Sequence, residues 1–295
     1  MNLFILALGF GIVTASVLAL GAVGFTLQFS VTNVLNLAYG DVMIASAFVA
    51  YAVNSRGVNI WIALIIGGAF GAVASWFLNR AVFSPFIRRG TRLFGMVVVT
   101  LSTGLIIENA LLALVGPNYF SYSFNSGGEV HVAGFALTVA QLAVVGLSVV
   151  VMLFVHILLK NTQLGRAMRA TATDAALARA CGINTRWVID AAWLLSGALC
   201  GISGVVLVIN TASFQAATGD GFLIVIVASA ILGGIGQPYG AMLGGVIIGL
   251  VTELSALVID PAYKDLVAFM VLVFVLLLRP TGILADVSAR RAVAG

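Results

Sequence analysis

Asp41, Glu108 and Glu253 stand inside or at the edges of long apolar runs. A carboxylate at bilayer depth costs at least ~2.5–3.5 kcal/mol on insertion scales, so it is kept where it faces a cavity or finds a partner. Two chemistries suit such groups. They can line a polar route for a small charged or zwitterionic solute, or hold neighbouring helices together by hydrogen bonds. Glu108, with Asn109 beside it, is the deepest of the three in its run. The stretch VVVTLSTG at 97–104 adds Thr100, Ser102 and Thr103. Small hydroxyls carry the same two readings, because they can line a route or bond their own i−4 carbonyls. Further upstream, VTNVLNLAYGD places Asn33, Asn36 and Tyr39 just before Gly40 and Asp41. Broken helices with free backbone groups mark solute sites near mid-membrane. The alternative for this stretch is a polar turn between two spans.

A different polar stretch, LGRAMRATATDAALARACGIN at 164–184, gathers Arg166, Arg169 and Arg179, with Arg186 close behind. Within it TDAALARACG reads as a short helix. Thr171 or Thr173 can cap free N–H groups, and Asp174 suits the positive end. Arg179 suits the negative end, and Gly182 can take the left-handed position after the last turn. Leu177 and Cys181 are four apart on one face, flanked by Ala178. Such a helix could rest on anionic lipid, but its apolar face buries little area, which favours close contact with a protein. His131, His156, Cys181 and Cys200 show no metal-ligand spacing. No GxSxG elbow, HExxH helix or nucleotide-binding loop occurs, so no catalytic residue, metal or cofactor is assigned to this chain.

The elements that position these groups follow from composition. A soluble domain carries about 25% charged residues, whereas this 295-residue chain has 8%, with 62% hydrophobic and a mean hydropathy of +1.17. Apolar runs fall near 4–27, 31–54, 58–79, 93–116, 137–159, 187–210, 222–234, 239–259 and 264–278. A bilayer crossing takes about 20 residues, so the fold class is an all-α polytopic membrane protein with eight or nine crossings. The runs at 222–234 and 264–278 are short enough to be tilted, broken or partial. The polar opening of 31–54 predicts irregular backbone there. The first run lacks a basic flank and reads as a retained span.

Charge gives the orientation, since basic residues accumulate in cytoplasmic loops. Arg80, Arg88, Arg89 and Arg92 occupy 80–92, and Lys160 joins the four arginines of 160–186. Arg279, Arg290 and Arg291 follow the last run, which leaves Arg56 and Lys264 for the other side. The basic loops and the C-terminus are therefore expected inside and the N-terminus outside. The net charge of +4 records topology and membrane lipid, not a nucleic-acid partner. NLAYGDVMIASAFVAY at 36–51 and IGQPYGAMLGGVIIGL at 235–250 both open on Tyr-Gly, a candidate parallel internal repeat with discontinuous helices.

Four stretches, taken in chain order, resemble one family. They are GAVGFTLQFSVTNVLNLAYGDVMIASAFVAY, LGRAMRATATDAALARACGINTRWVIDAAWLLSGALCGISGVV, ASAILGGIGQPYGAMLGGVIIGLVTEL and LRPTGIL. Together they are similar to the branched-chain amino-acid permeases of ABC importers, of the LivH type. The resemblance implies one transmembrane permease domain over 1–295 in a bacterial inner membrane, with a cytoplasmic coupling loop at about 160–186. It implies a homologous second permease, two cytoplasmic ATP-binding subunits that use the ATP, and a periplasmic solute-binding protein. It maps the coupling loop onto Arg169, Thr171, Asp174, Ala178, Gly182 and Ile183, and it implies import by alternating access. Tyr39 stands where many relatives carry histidine. The expected solute is a branched-chain or other hydrophobic amino acid, with urea or a short amide as the alternative. An ion-coupled secondary transporter would share the carboxylates and the repeat, but would need no docking helix.

Overall fold

The computed structural model describes residues 3–124, 128–132, 135–260, 263–279 and 282–284. Its apolar runs are helices, the form that satisfies every backbone group within one segment away from water. Among the described residues, six helices are long and apolar enough to cross a membrane. They are α1 (Leu3–Thr32), α3 (Ile60–Leu78) with its extension to Arg88, α5 (Leu93–Val115), α6 (Val139–Asn161), α9 (Thr185–Thr211) and α11 (Pro238–Ser255). The remaining three expected spans are shorter: α2 (Tyr39–Asn54), α10 (Thr218–Gly233) and α12 (Lys264–Leu278) have 16, 16 and 15 residues. At 1.5 Å per residue such helices reach ~22–24 Å, less than the ~30 Å hydrocarbon core. That is the correction to eight or nine helical spans.

Both basic loops are more helical than the sequence suggested. The first holds a π-helical turn (Asn79–Phe83) and α4 (Ser84–Arg88), and the second holds α7 (Gln163–Thr173) and α8 (Ala175–Ala180). The loop between α5 and α6 carries a β-hairpin, in which β1 (Glu129–Val132) pairs antiparallel with β2 (Phe135–Thr138).

Two helix triplets form the core, α1–α2–α3 and α9–α10–α11. Each is a long helix, a break, a 16-residue helix and a third helix. Residues 21, 24 and 28 of α1 meet residues 203, 199 and 196 of α9, so the two long helices run antiparallel and the triplets are mutually inverted. This corrects the expected parallel repeat. Gly40-Asp41 of α2 matches Gly219-Asp220 of α10, whereas Tyr239-Gly240 opens α11, which packs back on α10 at Gly233.

Small residues make the equivalent contacts between triplets. Gly67 and Gly71 of α3 face Gly197 and Gly201 of α9, while Ala15 and Ala19 of α1 face Gly249 and Gly245 of α11. A Cβ on Gly201 would lie 2.5 Å from the Gly67 carbonyl oxygen, and one on Gly245 2.6 Å from Ala19 Cα. Close backbone approach is how helices associate where lipid is as apolar as their side chains.

The basic segments gather at one end of the bundle. Arg80 pairs with Asp190 at the start of α9 at 3.6 Å, and Asn79 donates to the same carboxylate at 3.4 Å. His156 of α6 stacks edge-on against Tyr239 at the start of α11, 5.6 Å between centroids. After α12, Ile283 and Leu284 donate backbone N–H bonds to Leu232 and Gly233 at the end of α10. Arg290 and Arg291 lie outside the described residues. At the opposite end Phe48, Tyr51, Phe120, Tyr122 and Phe214 form an aromatic cluster. A backbone bridge between Phe120 and Phe214 ties it together.

Candidate functional site

The site begins where α1 stops. Asn33 takes φ +52°, a left-handed conformation that costs a non-glycine residue ~1–3 kcal/mol. The chain then doubles back without helix from 33 to 38, beside α1 and α5. Thr100 of α5 donates to the Leu35 carbonyl at 2.9 Å. The Asn36 amide donates to Gln28 Oε1 at 3.3 Å, and Ser196 of α9 donates to the same oxygen at 3.4 Å. Asn33 is thus the turn at the basic end, and Asn36 belongs to the re-entrant segment. The irregular backbone read from the sequence is present, with the turn at Asn33 and the non-helical stretch around Asn36. After α9 the pattern repeats: Ala212 takes φ +62°, and 212–217 leads back to α10.

Consequently α2 and α10 start inside the bundle with their N-termini face to face. A Cβ on Gly40 would lie 2.5 Å from the Gly219 carbonyl oxygen, and one on Gly219 equally close to that of Gly40. No residue but glycine fits either position without moving the helices apart. Neither N-terminus has a side-chain cap, whereas α3, α6, α7, α8 and α9 each have one. Asp41 and Asp220 occupy the two first turns, where the positive end of a helix favours an anion. Glu108 of α5 completes the group. Ligand oxygens of Asp41, Glu108 and Asp220 lie within 4.8 Å of one another, with Asp41 buried, Glu108 half-buried and Asp220 exposed. Neither ion pair among the described residues involves them. Hard cations and ammonium groups are what such an oxygen set attracts.

Other candidates are placed elsewhere. Tyr39 is fully buried against α1. Its hydroxyl donates to the Gly21 carbonyl at 3.1 Å, its ring meets Phe25 edge-on, and its carbonyl accepts from Cys200. Thr103 bonds the Val99 carbonyl within its own helix, and Ser102 points outward. Glu253 accepts from Thr14 of α1 at 3.1 Å and pairs with Lys264 of α12 at 2.7 Å. It has the interhelical role that was the alternative for it. Asp220, Gln28 and Ser196 were missed. Asp220 had a legible signal, a second Gly-Asp before an apolar run. Gln28 and Ser196 had none, because single polar residues in long helices name no partner.

At the basic end, α7 and α8 form the polar segment. The Asp174 side chain caps α8 by accepting from the N–H groups of Ala176 and Leu177 at 2.8 and 2.9 Å. Those bonds, that of Leu177 first, hold its carboxyl below the usual carboxylate range. Gly182 takes φ +85°, Ile183 donates to the Ala178 carbonyl and Gly182 to that of Arg179. That is the Schellman closure. Ala178 turns inward and Leu177 outward, 4% and 62% exposed. Cys181 is exposed beside Leu177, so the apolar face is open. Arg169 donates to the Leu159 carbonyl and ties α7 to α6. Thr171 is buried.

Residues 7–276 match the family described as branched-chain amino acid transport system / permease component. The chain belongs to this family of membrane permeases. It is 29% identical to the high-affinity branched-chain amino acid transport system permease protein LivH of Escherichia coli (strain K12), over 93% of each chain. It is 30% identical to the corresponding protein BraD of Pseudomonas aeruginosa, again over 93% of each. A probable LivH of Methanocaldococcus jannaschii is 28% identical over 92% of this chain and 90% of its own length. Among solved structures, PsaBC from Streptococcus pneumoniae in complex with Fab covers 90% of each chain with a TM-score of 0.48 and 12% identity.

Proposed function

We propose that this chain is the membrane-spanning subunit of an ATP-driven importer, and that it carries a branched-chain or other hydrophobic amino acid across the bacterial inner membrane by alternating access. One observation carries the mechanism. Two inverted half-length helices begin nose to nose at Gly40 and Gly219, with three carboxylates around the junction. Discontinuous helices of inverted repeats hold solutes near the membrane midplane in many transporters. The carboxylates would receive the solute's ammonium group. Residues 33–54 and 212–233 would each complete a traverse by joining a re-entrant segment to a half-helix. The six long helices would cross as well, with the N-terminus outside and the basic end in the cytoplasm.

In this reading 1–295 is a single permease domain, and residues 160–186 are its coupling element. Leu177 and Cys181 leave an apolar face open, and Arg166, Arg179 and Arg186 of the same segment are exposed. Each of two cytoplasmic ATP-binding subunits would take one such element, one from this chain and one from a homologous second permease. A periplasmic protein would deliver the solute. ATP-driven closure would push α8 through α7 and α9, shift the two triplets and open the junction to the cytoplasm. Urea and short amides are the alternative cargo. The test is mass spectrometry of the complex extracted gently from native membranes, followed by uptake in vesicles. A second permease with two ATP-binding subunits is expected, with uptake that needs ATP. A chain isolated alone, or uptake that survives removal of every ATPase, overturns the proposal.

A further inference from the structure

Just below the carboxylate junction lies an apolar pocket of about 190 Å³. Leu37 of the re-entrant segment, Leu223, Val227 and Ile231 of α10, and Phe269 and Leu272 of α12 line it. The pocket abuts the junction directly, since Leu223 Cβ would lie 2.9 Å from a Cβ on Gly40. Leu223 and Ile224 sit one turn below Asp220, a rise of ~5 Å. A four-carbon aliphatic chain separates an amino nitrogen from its branched tip by a similar ~5 Å. One helix therefore presents a carboxylate and, a turn away, a wall of branched apolar side chains.

On the strength of the transport reading above, we infer that this pocket receives the aliphatic side chain of the solute, while Asp220 and Glu108 hold its ammonium group. Charge complementarity selects the occupant. A lipid acyl chain would fill the apolar part and leave the carboxylates without a counter-charge. An anionic solute would be repelled at the mouth, and a sugar would leave its hydroxyls unpaired against the apolar wall. An aliphatic amino acid meets the carboxylates with its ammonium group and the wall with its side chain, which leaves its own carboxylate to the uncapped N-termini of α2 and α10. The pocket also opens between α10 and α12, so a shift of either helix changes its depth. That gives a simple way to release the side chain when the triplets move.

Two measurements on the complete complex, with its binding protein and ATPases in vesicles, test the assignment. In the first, a diazirine analogue of leucine is irradiated during ATP-driven uptake and its adducts are mapped by mass spectrometry. Insertion into 223–231 and 266–278 is expected. Insertion confined to other segments overturns the inference, as does labelling of these helices by a diazirine phospholipid but never by the leucine analogue. In the second, Val227→Phe narrows the pocket at a half-buried position. The ratio of leucine to valine uptake is expected to fall roughly tenfold with complex assembly intact, the scale of methylene discrimination in apolar pockets. An unchanged ratio overturns the inference. If the unaltered complex takes up no hydrophobic amino acid with ATP, the transport reading fails first, and that result is separate from a pocket that carries solute without selecting it.

Discussion

Two acidic sites in the bundle are treated in opposite ways. At the end away from the basic loops, Glu253 is closed off: Thr14 and Lys264 take one oxygen each, tying α1, α11 and α12 together. At the junction of α2 and α10, three carboxylates converge with no ion pair among the described residues. Removing one partner of a buried pair costs stability, while an unneutralised cluster costs stability merely by being present. The clasp is therefore what a folded bundle needs, and the open junction is what the ammonium group of the proposed solute would need. Depth alone does not tell them apart. Glu108 and Glu253 look alike in sequence, and the partner on the next helix decides the role.

Neutral substitutions sharpen that contrast most. Asp41→Asn with Asp220→Asn removes charge-assisted contacts of ~1.5–3 kcal/mol, so uptake should fall roughly 10- to 100-fold. The complex should remain assembled on size-exclusion chromatography. Normal uptake in the double variant would put the junction on the same footing as the clasp. Next in size are the coupling variants Ala178→Glu and Gly182→Pro, which strike a buried alanine and a left-handed glycine. ATP hydrolysis should continue while uptake falls, by less than in the junction double variant, and normal coupling in both would remove α8 from the mechanism.

The clasp variants should act on stability alone. Lys264→Met leaves Glu253 without its cation and is expected to cost about 1–2 kcal/mol, low in the range because the Lys264 side chain is 33% exposed. Adding Glu253→Gln should restore the thermal midpoint, with uptake near normal throughout. A fall in uptake in the double variant as large as at the junction would break the comparison. Asp174 gives the smallest effect. Its folded pKa is lowered from 3.8, so its cap is fully present above that value and lost as the pH falls through the lower one. Hydrogen-exchange protection of α8 should therefore be flat from about pH 5 to 8, and Asp174→Ala should reduce it across that whole range.

Composition alone determined that this is a helical membrane protein, because too few polar residues exist to cover a soluble surface. Local signals also wrote much of α8, since a cap and its closure need only neighbours in sequence: Gly182 takes the expected left-handed position, whereas Asp174, read as a first-turn residue, is itself the cap assigned to Thr171 or Thr173. Irregular backbone before Gly40 was legible for the same reason. What sequence could not supply was the pairing of distant segments. Tyr39-Gly40 was matched to Tyr239-Gly240 by a shared dipeptide, whereas packing pairs Gly40 with Gly219. The expected parallel repeat became an inverted one because glycine-to-backbone contacts between triplets, not residue similarity, fix the register. Likewise Glu253 met Lys264 and Glu108 met Asp220 only once the helices were side by side. A carboxylate's chemistry is set by what lies within a few ångströms, and in a helix bundle those neighbours come from remote parts of the chain.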